Sequence, residues 1–277
     1  MPESKVIATG SSSFELSNKI GEPLTGRQKV LLLYPFSALE LSEESGRMRI
    51  IEDLENFLVY GAYPEVITSE NVEEKKEYLI SIRDSYLFKD ILELENIKNS
   101  GKLQDLLKLI AFQIGKEVSL NELSNSLEMA KQTVERYLDL LEKAFVIKKV
   151  RGFSRNLRKE ITKTSRYYFL DNGIRNAVIN NFNDLSTRND VGMLWENYLF
   201  VERMKKQTYS KIYSNNYFWR TYDHKEIDLV EEREGKLFGF EFKWGRKKTS
   251  CPKLWLETYK NAEFDIITKE NFLDFII

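Results

Sequence analysis

The sequence EIDLVEEREGKLFGFEFKW, residues 226–244, decides the fold of the C-terminal part of the chain. Two runs of alternating side chains flank an acidic segment that ends in Gly-Lys, a pattern typical of a hairpin turn. Side chains two positions apart share one face of a strand, so Glu241 and Lys243 lie on the same face. We predict a β-hairpin that brings Asp228 beside Glu241.

Two carboxylates and an ammonium group on one face indicate a metal-dependent site. Carboxylate oxygens are ligands that Mg²⁺ prefers, and we expect Asp228 and Glu241 to bind it. A metal ion there polarises a phosphate and supplies the attacking hydroxide, with Lys243 orienting the water or helping to deprotonate it. The alternative is an ordinary amphipathic hairpin with a solvated polar face, on which Glu241 and Lys243 only screen one another.

The elements predicted around the hairpin give a definite order. Apolar residues at helical spacing predict a helix over residues 192–204, which carries Glu196. A further helix over residues 253–262 and a strand over residues 264–268 follow the hairpin. With one more strand expected between the first helix and the hairpin, they give the order α-β-β-β-α-β.

This order, with a Glu on the first helix, an Asp on the second strand and Glu-x-Lys on the third, resembles the restriction-endonuclease-like superfamily, PD-(D/E)XK. The resemblance implies metal binding by Asp228 and Glu241, water activation or phosphate contact by Lys243, and a supporting acidic role for Glu196. One departure is that no proline precedes Asp228.

The middle of the chain has the spacing of a helix-turn-helix. Helices are predicted over residues 103–114, 120–127 and 131–144, with Ser119 capping the second of them and Phe145 pointing inward at the end of the third. The N-terminal end of the third helix offers residues suited to the major groove of DNA. These residues are Lys131, Gln132, Thr133 and Arg136.

Two strands, over residues 145–151 and 166–171, predict the wing of a winged helix. The loop between them concentrates basic residues, which attract the phosphates of nucleic acid. They are Arg155, Arg158, Lys159 and Lys163. Since winged helices also bind proteins, a protein-binding role with a solvated loop is the alternative.

The first part of the chain carries short motifs in a recognisable order: TGSS at residues 9–12, LTGR at 24–27, PFS at 35–37 and GAYPE at 61–65. They resemble the later part of a prokaryotic AAA-type ATPase family whose C-terminal half is a winged helix followed by a restriction-endonuclease-like domain. The resemblance implies a nucleotide-sensing remnant at Thr9, Ser11 and Arg27, although Arg27 also fits a surface arginine.

No phosphate-binding loop of the form Gly-x-x-x-x-Gly-Lys-Ser/Thr occurs in the 277 residues, so the Walker A and Walker B parts of such an ATPase are absent. We therefore expect neither ATP binding nor ATP hydrolysis from this chain alone. We expect DNA as a partner, and either a separate ATPase half or a second copy of the chain.

The amino-acid composition limits which kinds of site and which cellular location we expect. The 42 basic and 43 acidic residues nearly cancel, so any nucleic-acid surface is local. The single Cys251 excludes an internal disulfide, and with one His the sequence lacks ligands for a zinc site. No apolar run has the length of a membrane span and no signal peptide opens the chain, so we expect a cytoplasmic protein without membrane contact.

The predicted fold class is mixed α/β with four parts. Residues 1–50 form the AAA-type remnant, with a strand that begins at residue 5 and runs into a Ser-rich turn, a helix over residues 14–20 and a strand over residues 30–35. Residues 51–100 form a helical lid or connector, with helices over residues 51–60 and 73–94. Residues 101–172 form the winged helix, and residues 173–277 the restriction-endonuclease-like domain.

Overall fold

A mixed sheet of seven strands organises the residues that the structure describes. In this computed structural model these are residues 7, 9, 10, 29–85, 100–154, 164–221, 224–245 and 250–277. The strands are β1 (Glu117–Val118), β2 (Ile147–Gly152), β3 (Ser165–Phe169), β4 (Asn215–Arg220), β5 (Glu226–Arg233), β6 (Lys236–Phe242) and β7 (Ala262–Ile267). Their spatial order is β1-β3-β2-β4-β5-β6-β7, which confirms a mixed α/β fold.

One parallel pairing joins the two halves of this sheet. The β2–β4 and β6–β7 pairs are parallel, and the other neighbours are antiparallel. Arg151 of β2 pairs with Tyr217 of β4, and Gly152 pairs with Phe218. The strands predicted for the winged helix therefore continue directly into those predicted for the C-terminal domain.

Helices cover the sheet and form the N-terminal part of the described chain. They are α1 (Ala38–Ser45), α2 (Arg47–Glu52), α3 (Leu54–Tyr60), α4 (Pro64–Thr68), α5 (Val72–Ile82), α6 (Ser100–Phe112), α7 (Leu120–Leu127), α8 (Lys131–Lys143), α9 (Asn172–Val178), α10 (Val191–Tyr209), α11 (Lys253–Thr258) and α12 (Phe272–Ile276). A 3₁₀ turn spans Leu185–Thr187. Within these residues, no helix has both the length and the apolar character needed to cross a membrane.

The predicted order of elements around the hairpin is confirmed. Helix α10 precedes β4, β5 and β6, and α11 and β7 follow. The three helices predicted in the middle of the chain are present as α6, α7 and α8. The Ser119 hydroxyl accepts the Glu122 N–H at 3.3 Å and so caps α7 as expected.

Three details of the predictions were wrong. Phe145 was expected to point inward from α8, but the helix ends at Lys143 and Phe145 takes a φ of 55°, which leaves its ring partly exposed. The helix expected over residues 51–60 is broken at Asp53 into α2 and α3. Residues 30–35 form no strand, and Leu33 is 95% exposed, because no neighbouring strand pairs with them among the described residues.

Several predicted features lie outside the described residues. They are most of the first strand and helix, the connector beyond residue 85, and the side chains Ser11, Arg27, Arg155, Arg158, Lys159 and Lys163. Thr9 is described and lies outside regular structure.

Helix α10 is the central packing element because both its apolar and its polar side chains are buried. Trp195, Leu199 and Phe200 belong to the main core cluster, and the Phe200 ring stacks on Tyr168 of β3 at 4.1 Å between centroids. Asn197 makes the polar link to the same strand. Its amide accepts the Phe169 N–H at 2.8 Å and donates to the Phe169 carbonyl at 2.9 Å.

We expect Asn197→Ala to lower the free energy of unfolding by about 2–4 kcal/mol, because both backbone groups of Phe169 lose their buried partner. Urea denaturation measures the change. The control is Asn56→Ala at an exposed position of α3, which we expect to change stability by less than about 0.5 kcal/mol. Equal stabilities of Asn197→Ala and wild type would show that Asn197 does not hold α10 on β3.

Candidate functional site

The β5–β6 hairpin is closed by a turn with left-handed backbone. Glu234 and Gly235 have φ values of 52° and 73°, as in the mirror-image turns that match the twist of paired strands. The sequence predicted this turn one residue later. The hairpin itself is confirmed.

The hairpin brings the two predicted metal ligands to facing positions. Leu229 pairs with Phe240, which places Asp228 opposite Glu241 in the antiparallel register. Both carboxylates are buried. The Asp228 Oδ2 atom accepts the Phe242 N–H at 2.9 Å, which fixes that side chain against β6.

Lys243 lies directly after β6 and extends the edge of the site. Its backbone N–H donates to the Ile267 carbonyl at 2.9 Å, continuing the parallel pairing with β7. Its Nζ atom donates to Glu241 Oε1 at 2.5 Å. The Lys243 side chain is 27% exposed, so its ammonium group lies between the buried Glu241 carboxylate and solvent.

Glu196 enters the same site from α10. Its Oε1 atom accepts the Tyr168 hydroxyl at 2.8 Å. The backbone of Gly115 lies against this carboxylate, where an added Cβ would be 2.6 Å from Oε1. Gly115 also has a φ of 70°, so glycine suits the position for both its conformation and its size.

A buried arginine on β3 completes the cluster. Arg166 Nη1 lies 3.5 Å from Glu196 Oε1 and 3.5 Å from Asp228 Oδ1. Its Nη2 donates to Glu226 Oε2 at 2.8 Å. The structure therefore brings together all four predicted catalytic residues and adds a cation that the sequence analysis missed.

The missed residues carry a weak signal in the sequence. Arg166 and Tyr168 are two positions apart on a strand that was correctly predicted, so they share one face. That face was assigned to the wing of a separate domain, and local periodicity does not reveal that it meets α10. Gly115 and Glu226 carry no signal of their own.

Burial shifts the acid–base balance of the cluster. The pKa of Glu196 is raised to about 8, first by burial and then by the neighbouring Asp228, against the opposing effect of Arg166. The pKa of Glu241 is raised to about 7 by burial and by Asp228, with Lys243 acting in the opposite direction. Burial also raises the pKa of Asp228. Burial thus favours the protonated form of these carboxyl groups when no further cation is bound.

The donor atoms fit one hard cation with water as additional ligands. Glu241 Oε2 is buried and has no hydrogen-bond partner within the described part of the chain. No group of three or more His, Cys, Asp or Glu side chains arranged for a metal ion occurs in those residues. Mg²⁺ often binds through one or two carboxylates and keeps several waters, so Asp228 and Glu241 meet its needs.

The predicted DNA-contacting residues of α8 form a separate group. Lys131, Gln132 and Arg136 are exposed at the start of the helix, and Thr133 is half-buried. Within the described ranges, no hydrogen bond or ion pair joins them to the carboxylate cluster.

The raised pKa of Glu196 predicts a pH-dependent stability. A carboxyl whose pKa is about 8 in the folded state, against an ordinary 4.5, favours folding while protonated. Its contribution is complete below about 4.5 and is lost as the pH rises toward 8. We expect Glu196→Gln to gain stability relative to wild type across this range.

Urea denaturation at pH 5, 7 and 9 measures this difference. Glu257→Gln, at an exposed position of α11, is the control and should follow the wild-type profile. If the Glu196→Gln and wild-type profiles are parallel, Glu196 does not take up a proton on folding.

Comparisons with known proteins divide the chain into three matched regions. Residues 1–42 match the family described as AAA domain. Residues 51–185 and 191–271 match two families, each described as a domain of unknown function, DUF8612 and DUF4143. The carboxylate cluster draws Arg166 from the first of these two regions and Glu196, Asp228 and Glu241 from the second.

Relatives from bacteria and archaea are similar over most of this chain. An uncharacterized protein of Haemophilus influenzae is 26% identical over 84% of the chain and 57% of its own length. Uncharacterized proteins of Mycobacterium tuberculosis and Methanocaldococcus jannaschii are each 23% identical, over 90% and 83% of the chain and 54% and 53% of their own lengths. The chain thus spans about half the length of these relatives. No solved structure matches it. The AAA-domain match relates the chain to AAA-type proteins.

Proposed function

We propose that the carboxylate cluster is a Mg²⁺-dependent phosphodiesterase centre that acts on nucleic acid. The observation that carries this proposal is the Oε2 atom of Glu241, which is buried and has no hydrogen-bond partner among the described residues. Glu241 faces Asp228 across the hairpin, and its other carboxylate oxygen accepts from Lys243. The order of α10, β5 and β6, which carry Glu196, Asp228 and Glu241, supports a restriction-endonuclease-like reading.

Each side chain then has a role. Asp228 and Glu241 hold the cation through their carboxylate oxygens, and the Phe242 N–H keeps Asp228 oriented. When bound, Mg²⁺ polarises the scissile phosphate and lowers the pKa of a water. The partly exposed Lys243 ammonium contacts the phosphate or orients that water. Glu196 supports the centre from α10.

The exposed start of α8 supports nucleic acid as the substrate class. Helices α7 and α8 form a helix-turn-helix, and the β2–β3 pair follows it as in a winged helix. Lys131 and Arg136 offer positive charge where such a helix enters the major groove. We further propose that this chain of 277 residues does not hydrolyse ATP by itself, because its sequence contains no phosphate-binding loop.

A second candidate is a binding module in which the same fold is only a scaffold. Arg166 favours this candidate, because a fixed cation already neutralises part of the cluster. The winged-helix part then binds DNA or a protein and the hairpin does no chemistry.

Cleavage assays separate the candidates. We expect the chain to cut plasmid, single-stranded or branched DNA with Mg²⁺ or Mn²⁺. Asp228→Ala should abolish cutting by removing a ligand, and Lys243→Ala should lower the rate by about 10²–10⁴-fold while DNA affinity is retained.

Matched controls on the same sheet are Lys236→Ala at the exposed start of β6 and Asp265→Ala on β7. Both should cut at the wild-type rate. Retained DNA binding without any metal-dependent cutting would contradict the phosphodiesterase proposal and favour the binding module.

Charge reversal on α8 tests the DNA surface. Lys131→Glu combined with Arg136→Glu should lower DNA affinity at least about tenfold and reduce its salt dependence by about one phosphate contact per lost cation. Fluorescence anisotropy at several salt concentrations measures both effects. Lys143→Glu, at the other end of the same helix, is the control. Unchanged affinity of the double variant would remove α8 from the DNA surface.

A further inference from the structure

Arg166 is the most deeply buried charge of the cluster. Its side chain is 3% exposed, so the guanidinium is held in the interior beside the carboxylates. A guanidinium stays charged at any pH at which the protein folds. The cluster therefore contains a permanent positive charge supplied by the chain itself.

Neighbouring elements hold this guanidinium in one position. Arg166 pairs with Glu117 of β1 on one side and with Val150 of β2 on the other, so its backbone is fixed within the sheet. The guanidinium carbon lies 4.6 Å from the centre of the Phe218 ring, which supports one face. Its Nη2 is bonded to Glu226 at 2.8 Å.

The distances to the other two carboxylates are longer. Nη1 is 3.5 Å from both Glu196 Oε1 and Asp228 Oδ1, beyond the usual length of about 2.7–2.9 Å for a charged hydrogen bond. Arg166 therefore offsets the negative charge of these two carboxylates without a short hydrogen bond to either. The Nη1 atom is equally distant from both carboxylates, as a metal ion is when two carboxylates share it.

The side of Asp228 that faces Glu241 has different partners from the side that faces Glu196. Among the described residues, Glu241 Oε2 has no hydrogen-bond partner, and the only cation bonded to Glu241 is the partly exposed Lys243. Among the described residues, an oxygen that still lacks a partner therefore lies on the Asp228–Glu241 side, whereas Arg166 already occupies the Asp228–Glu196 side.

We propose that Arg166 takes the place of a second metal ion between Asp228 and Glu196 and so limits the cluster to one divalent cation. Two-metal phosphodiesterase sites place their ions about 3.5–4 Å apart, and a fixed guanidinium at one of those positions repels a second ion. The inference rests on the proposed metal centre and specifies the number of ions in it.

Mn²⁺ titration of the full chain, followed by the electron paramagnetic resonance signal of free Mn²⁺, counts the bound ions. We expect one Mn²⁺ per wild-type chain, lost in Asp228→Ala. In Arg166→Met, which removes the charge but keeps an apolar side chain, we expect either a second Mn²⁺ or at least tenfold tighter binding. Arg166→Lys retains a positive charge and should bind one Mn²⁺.

The matched control is Arg203→Met. Arg203 is also buried, but it pairs with Glu231 instead of with the cluster, so its loss should leave Mn²⁺ binding unchanged. Circular dichroism and thermal melting establish that each variant is folded. The wild-type ion count tests the inference even where Arg166→Met does not fold.

The outcomes distinguish this inference from the proposed function. Two Mn²⁺ ions on the wild type, or unchanged binding by folded Arg166→Met, would overturn the role of Arg166 and leave the metal centre standing. Binding by Arg166→Met alone, dependent on Asp228, would support the role of Arg166 and overturn the native metal centre. Binding by neither chain would overturn both.

Discussion

The burial of charged side chains along α10 is the constraint on which the rest of the structure depends. An unpaired charge in the interior is costly, so each one must find a partner of opposite charge or a backbone group. Glu202 accepts the Ala38 N–H at 2.6 Å, and Lys205 donates to the Phe36 carbonyl at 3.0 Å. Arg203 pairs with Glu231 at 2.5 Å. Helix α10 thereby binds both the start of α1 and the strand β5.

The same helix determines the geometry of the candidate site. Asn197 binds both backbone groups of Phe169, which fixes β3 against α10. Because Glu196 is the preceding residue of the helix, its carboxylate reaches Tyr168 and Arg166 on that strand. Removing the Asn197 link would therefore disturb the cluster as well as the core. Stability and the proposed chemistry share these contacts.

Local patterns in the sequence predicted much of the site. Alternation over residues 226–244 gave the hairpin, and helical spacing around Glu196 gave the helix that carries it. The facing positions of Asp228 and Glu241 follow from strand geometry once the turn is placed. These features depend on contacts between residues close in sequence, where periodicity is informative.

The remaining features depend on distant contacts. Arg166 and Asp228 are 62 positions apart and meet only because β2 pairs in parallel with β4. Alternation within a strand does not tell which strand lies beside it, so Arg166 was placed in another domain. Phe145 was misplaced because a single left-handed residue after α8 turns its ring outward. In both cases the position of the side chain depends on a backbone feature that periodicity does not reveal: the parallel pairing of β2 with β4 for Arg166, and the positive φ of Phe145.

Anomalous diffraction from a crystal soaked in Mn²⁺ tests the existence of the metal centre most directly. We expect a single anomalous peak within bonding distance of the Asp228 and Glu241 carboxylates, beside Lys243 and on the side away from Arg166. An ordered cluster with no peak there after soaking, or a peak held by other residues, would contradict a metal-dependent centre in this protein.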